Sequence, residues 1–180
     1  MRFCRSCQLC ENQKPLLQKV CARPQVFFTG LSAVASADPE ADEPFSAATR
    51  SGQLIREIEA DLGAVECYYT NLVKCLPLTD GKLRYPTRKE LEACFSNFEL
   101  ELKKLSPEKV VLFGKQVSDF VAGQLGLTFS KRGAGHFEFG TAHVGGIDYL
   151  SASHPSYVLI YKRRHLDQYR QGIGTFIASR

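Results

Sequence analysis

"VECYYTNLVKC", residues 65–75, is the stretch on which the fold turns. It is short and crowded with aromatic and β-branched side chains, the types that fill a pleated, buried surface, so it predicts a strand rather than a helix. The strand leads through Asn71 and Lys74 to a cysteine.

On both sides of it the period of the apolar residues alternates. Upstream, "SGQLIREIEADLG" (51–63) spaces Leu54, Ile58 and Leu62 four apart and stops at Gly63, the pattern of an amphipathic helix with its C-terminal glycine. Before it, "QVFFTGL" (25–31) is a short apolar run that predicts a buried strand. Downstream, "PTRKELEACFSNFELELKKLS" (86–106) begins with Thr87 and has Glu90 three residues later, a capping box ahead of a helical run. "KVVLFG" (109–114) predicts a strand, "KQVSDFVAGQLG" (115–126) a helix, "IDYLSAS" (147–153) a strand, and a basic helix is expected from about Arg163. Strands alternating with helices imply a three-layer α/β/α sandwich with a central, mainly parallel sheet. No repeat or long linker interrupts it, so residues 1–180 are expected to form a single domain. Ligands of such folds gather beyond the carboxyl ends of the strands. Here "TGLSAVASADPEADEPF", "NLVKC" and "SHPSYVL" would converge there.

Composition narrows the class. The chain is 180 residues long and 44% hydrophobic, enough for a sizeable core. No apolar run approaches the ~18 residues of a membrane helix. The net charge of +4 lies entirely in the segment from Tyr157 onward, where Lys162, Arg163, Arg164, Arg170 and Arg180 face only Asp167. A basic stripe confined to one segment suits local contact with a polyanion, although a solvated helix face has the same composition. The seven cysteines (4, 7, 10, 21, 67, 75 and 94) are odd in number, so disulfides alone cannot pair them. With no signal-like segment at the start, a cytoplasmic, reducing setting is expected, and thiolates holding a metal or cluster are the leading reading. By ligand type, zinc and an iron–sulfur cluster suit such thiolates equally.

"TNLVKC" (70–75) followed by "SHPSYVL" (153–159), with "CRSCQLC" (4–10) in front, resembles the iron–sulfur branch of the uracil-DNA glycosylase superfamily over nearly the whole chain. The resemblance implies a [4Fe-4S] cluster on Cys4, Cys7, Cys75 and Cys94, with Cys10, Cys21 and Cys67 as spares. It implies an enzyme that flips uracil or a related deaminated base out of DNA and cleaves its bond to the sugar; separately, a monomer is expected. Phe45, after Pro44, would stack on the base, and Asn71 would read its edge with an amide that offers donor and acceptor together. His154 would donate to the oxygen that becomes anionic on the departing base, aided by backbone N–H groups after Gly30. Leu31 and Ser156 would line the pocket. Tyr157 or Leu159 would wedge into the vacated stack, and Lys162, Arg163 and Arg164 would hold phosphates. His136, His143 and His165 lack such a context and are expected at the surface.

The first motif departs from the pattern. The common form is G-E-A-P-G, whose carboxylate handles the attacking water; here Gly30-Leu31-Ser32-Ala33-Val34 has leucine in its place. A subgroup with G-L-A-P-A keeps an Asp shortly after the stacking Phe, but Ser46-Ala47-Ala48-Thr49 follows Phe45 here, although "TRSG" (49–52) matches that subgroup's ending. Asp38, in the acidic run "DPEADE" (38–43), is the nearest substitute. Such a run is ordinarily a solvated loop. Two rivals follow: a paralogue that binds damaged or single-stranded DNA without turnover, and a zinc-stabilised DNA-binding module.

Overall fold

The computed structural model describes residues 4–19 and 23–179, so Cys21 and Arg180 lie outside the described residues. In chain order the elements are α1 (Leu9–Asn12), β1 (Val26–Ser32), α2 (Arg50–Asp61), β2 (Cys67–Val73), β3 (Leu78–Thr79), β4 (Lys82–Leu83), α3 (Arg88–Leu105), β5 (Lys109–Phe113), α4 (Lys115–Leu125), β6 (Ser130–Ala134), β7 (Phe137–Val144), β8 (Ile147–Ala152), α5 (Pro155–Tyr161) and α6 (Leu166–Ala178). A 3₁₀ turn, Arg163–His165, joins the last two helices.

Among the described residues the main sheet runs β2-β1-β5-β8-β7-β6. Its first four strands are parallel, and β7 and β6 add an antiparallel hairpin at one edge. Consecutive side chains of a strand point to opposite faces, and the core splits accordingly. Phe28, Tyr69, Val111, Phe113 and Leu150 pack one face with Leu54, Ile55 and Ile58 of α2, Val158 of α5, and Tyr169 and Ile173 of α6. Phe27, Tyr68, Val110, Leu112 and Tyr149 pack the other with Phe95 and Phe98 of α3 and Val117 and Val121 of α4. The three-layer sandwich is therefore the one the alternation predicts.

The capping box is present: Thr87 Oγ1 accepts from the Glu90 N–H (3.3 Å), and Glu90 Oε2 accepts from the Thr87 N–H (2.7 Å). Besides the short α1, the sequence reading missed three pieces. The hairpin β6–β7 lies in "SKRGA" and "FEFGTAHV", where polar residues and glycines dilute the alternation, so the fourth expected strand is the eighth in the structure. The basic helix expected from Arg163 begins instead at Leu166, because Pro155 starts a separate short helix and a tighter turn follows it. The small hairpin β3–β4 turns on Asp80 and Gly81, both at positive φ, as a two-residue Asp-Gly hairpin requires. No helix among the described residues is long and apolar enough to cross a membrane.

Candidate active site

Register brings the strand ends level. Gly30 of β1 pairs with Asn71 of β2, and Phe113 of β5 pairs with Ala152 of β8, so the residues that follow open onto one edge of the sheet. There a pocket of about 780 Å³ is lined by Leu31 and Ser32 at the end of β1, Phe45, Asn71, Gly114 and Gln116 after β5, and His154, Ser156 and Tyr157 after β8. The three loops that were expected to converge do so.

Phe45 and Asn71 approach each other across Gly30. A Cβ at Gly30 would overlap Asn71 Oδ1 and come within 2.8 Å of the Phe45 ring, so glycine is what lets the ring and the amide close in on the strand. Phe45 is half-buried, meets Phe113 edge-on at 5.7 Å, and has φ +54. That backbone region is unfavourable for a bulky side chain and persists only where the surroundings impose it. Part of that support is Gly52 in the first turn of α2, where a Cβ would strike the carbonyl oxygens of Phe45 and Ser46.

His154 caps α5, and its geometry fixes its proton. Nδ1 accepts the Ser156 backbone N–H (3.1 Å) and lies 2.7 Å from Ser156 Oγ. A backbone N–H can only donate, so Nδ1 carries no hydrogen and the imidazole is neutral with its proton on Nε2. Burial pushes the His154 pKa below its ordinary value of 6.5, in the same sense. Ser156 therefore acts on the histidine as well as lining the pocket.

Asn71 is buried, and beneath it lies a buried polar knot. Lys74 Nζ donates to the Asn71 carbonyl (2.7 Å) and to Glu101 Oε2 (2.6 Å), and the Thr70 hydroxyl donates to the same carboxylate oxygen (2.9 Å). Lys74 and Glu101 are each only 2% exposed, so each charge depends on the other. The sequence reading passed over both.

Asp38 does not reach the pocket. Its Oδ1 accepts the N–H groups of Glu40 and Ala41 (3.1 Å each), the local turn-forming habit of an aspartate, and the side chain stays at the surface. Among the described residues lining the pocket there is no carboxylate at all. Leu159 is also turned away, packed against the core face of α5's neighbours, whereas Tyr157 is 46% exposed at the pocket mouth. Lys162, Arg163 and Arg164 form no ion pair among the described residues. Arg170, by contrast, is bound by Asp61 (2.8 Å) and Glu57 (3.3 Å), so it ties α6 to α2 rather than joining that basic stretch. His143 is at the surface on Asp148 (2.6 Å), and the rings of His136 and His165 stack 3.6 Å apart.

Cys4, Cys7, Cys10, Cys75 and Cys94 line a second, smaller cavity on the far side of Lys74. Asn97, one turn past Cys94, donates to the sulfurs of both Cys94 (3.7 Å) and Cys4 (3.8 Å). Burial, followed by the neighbouring thiols, pushes the Cys75 pKa up to about 12. So dense a set of soft donors fits a cationic centre, which would hold them as thiolates. Among the described residues, however, no three cysteine, histidine or carboxylate side chains are arranged to hold a metal ion. Cys10 Sγ donates to the Cys7 carbonyl (3.3 Å), and Cys67 is buried in the main core at the opposite end of β2.

A mainly parallel sheet covered by helices on both faces, with an aromatic ring, an amide and an imidazole at its carboxyl edge, defines an α/β protein with a pocket at the ends of its strands. Residues 17–173 match the family model described as the uracil DNA glycosylase superfamily, and the chain belongs to that superfamily. It is 28% identical over 130 residues to a type-4 uracil-DNA glycosylase of Archaeoglobus fulgidus, covering 71% of this chain and 62% of that one. To a type-4 uracil-DNA glycosylase of Pyrobaculum aerophilum it is 35% identical over 91 residues, 49% of this chain and 43% of the other. The matched stretches thus span less than two thirds of the length of either relative.

Proposed function

We propose that this chain is a DNA glycosylase of the iron–sulfur branch, which takes uracil or a related deaminated base out of DNA and hydrolyses its bond to deoxyribose. The observation that carries the proposal is the convergence of Phe45, Asn71 and the Nε2–H form of His154 on one pocket. Phe45 stacks on the everted base, and Asn71 offers its amide to the hydrogen-bonding edge. As the glycosidic bond lengthens, the electron pair moves onto the base, and His154 Nε2–H donates to the oxygen that gains the charge. A neutral donor serves here, since no proton need leave the imidazole. With no carboxylate in the pocket, the water that ends the reaction has no general base, which costs about 10²- to 10⁴-fold against an enzyme that has one.

Cys4, Cys7, Cys75 and Cys94 are the residues proposed to hold a [4Fe-4S] cluster, with Cys10 left on its backbone carbonyl. When bound, the cluster would staple the N-terminal segment to the loop after β2 and supply no step of the cleavage, which moves an electron pair within the substrate and needs no redox partner.

The test is incubation with a labelled oligonucleotide bearing one uracil, followed by alkali. Strand scission at the uracil position supports the proposal, and its absence over a panel of deaminated bases, with DNA still bound, overturns it. The carboxylate-free pocket favours one second reading, a protein that captures such bases without turnover. Leu31→Glu separates the two: it raises a weak activity if water supply is what limits the enzyme, and creates none in a binding protein.

A further inference from the structure

Large exposed hydrophobic side chains are not scattered evenly over this molecule. Of the eight among the described residues, Val34, Leu83, Tyr85 and Tyr157 line the proposed base pocket, and Ile160 and Tyr161 continue along α5. Leu83 and Tyr85 are 64% and 71% exposed and sit on and just after the β3–β4 hairpin, a piece with no part in either main face of the core. Exposed apolar groups gathered at one mouth mark a contact surface.

The hairpin is held rigidly by Arg84, which lies between the two. Its Nε donates to Thr79 Oγ1 (2.8 Å) and the Leu78 carbonyl (3.2 Å), and its Nη1 to the Tyr85 carbonyl (2.9 Å). The outer nitrogens fork onto both oxygens of Glu90 (2.7 and 2.6 Å), which in turn caps α3. The guanidinium is consumed in fixing the backbone, so what the hairpin offers outward is the leucine, the tyrosine and the ammonium of Lys82; Lys115, on the pocket wall, is paired with Asp119 (2.6 Å).

We propose that Leu83 and Tyr85 form a stacking platform for the base next to the flipped nucleotide on the same strand, with Lys82 facing its phosphates. The platform rests on the proposed capture of an everted base in the adjoining pocket and deepens it: the preferred ligand is a locally unstacked or single strand, whose neighbouring base is free to leave its partner. The occupant is a nucleobase because the surface pairs an aromatic ring and an aliphatic side chain with a flanking cation and is continuous with the base pocket.

The test is fluorescence anisotropy with a labelled single-stranded oligonucleotide carrying a central 2′-fluoro-uracil nucleotide, whose fluorine retards cleavage, with the neighbouring position on either side intact or an abasic spacer. Wild type should bind the spacer strand about tenfold more weakly on one side. Tyr85→Ala should bind both strands equally and about as weakly as wild type binds the spacer strand, while Tyr85→Phe restores the spacer penalty. Wild type indifferent to the spacer on both sides, or Tyr85→Ala still penalised by it, overturns the platform, as does a failure of wild type to bind any strand. Uracil release from the ordinary nucleotide, measured in parallel, keeps the two proposals apart. A spacer penalty that Tyr85→Ala abolishes, without uracil release, leaves the platform standing and removes the glycosylase.

Discussion

His154 concentrates the chemistry of the pocket in one proton. Because Nδ1 is taken by Ser156, the ring presents Nε2–H and stays neutral, and His154→Ala should lower the single-turnover excision rate about 10²- to 10³-fold while affinity for DNA is kept. Asp38→Asn, out of the pocket, should leave that rate within a factor of two. Equal losses at the two positions would mean that Asp38 moves in when DNA is bound. The pH profile follows with its sign. Burial holds the His154 pKa below 6.5, so the neutral donor prevails above that value, and the excision rate should be level through neutrality and fall only on the acid side of pH 6.5. Protonation would also cost the bond from the Ser156 N–H. A profile that instead rises as pH drops would show that imidazolium is the active form.

At the scale of elements, the first turn of α2 and the loop before it make a single device. In an exposed helix, replacing glycine by alanine stabilises by up to about 1 kcal/mol. Gly52→Ala should do the reverse, because the new methyl meets the Phe45 and Ser46 carbonyls. The expected result is a lower melting temperature with a raised KM for uracil-containing DNA, measured on the same preparation. The loop after β2 makes the second device, joining Asn71 to Cys75 through Lys74. Cys75→Ala and Cys94→Ala should each strip the broad visible absorbance of a cluster from purified protein, whereas Cys10→Ala should keep it; bleaching by Cys10→Ala alone would reassign the ligands. Much of this was legible beforehand. "VECYYTNLVKC" and "KVVLFG" are apolar enough to be strands on their own, and Thr87 with Glu90 announces a helix start. Other parts were not legible, for a physical reason. "SKRGAGHFEFGTAHV" is an edge hairpin whose outer face is wet, so its apolar period is broken, and nothing in "DPEADE" tells whether a carboxylate turns inward or caps its own loop.

For the molecule as a whole, the balance of charge is more local than its total. Arg170 is spent on Glu57 and Asp61, and Lys109 on Asp148, whereas Lys162, Arg163 and Arg164, at and just after the end of α5, form no ion pair among the described residues. Replacing all three by alanine should flatten the slope of log affinity against log salt by up to about three units, for any DNA sequence, without changing the cleavage rate at saturation. An unaltered slope would place the phosphate contacts elsewhere. The wedge assigned to Tyr157 or Leu159 from sequence narrows to Tyr157, since Leu159 helps close the core. That choice depends on which side of a two-turn helix faces the sheet, which seven residues beginning with proline are too few to reveal.

The sheet order also bears on how the chain must be made. β8 is the last strand in sequence, yet it lies between β5 and β7, and His154 comes two residues after its end. During synthesis, β2, β1 and β5 can pair while the ribosome still holds the rest, but β5 then presents an open edge of five buried residues until β8 arrives. A nascent chain is therefore stickiest just when most of it is already folded, and it gains its imidazole only at the step that seals that edge. A partly made molecule could hold Phe45 and Asn71 in place and still lack the imidazole, so an incomplete chain carries at most two of the three groups that meet in the finished pocket.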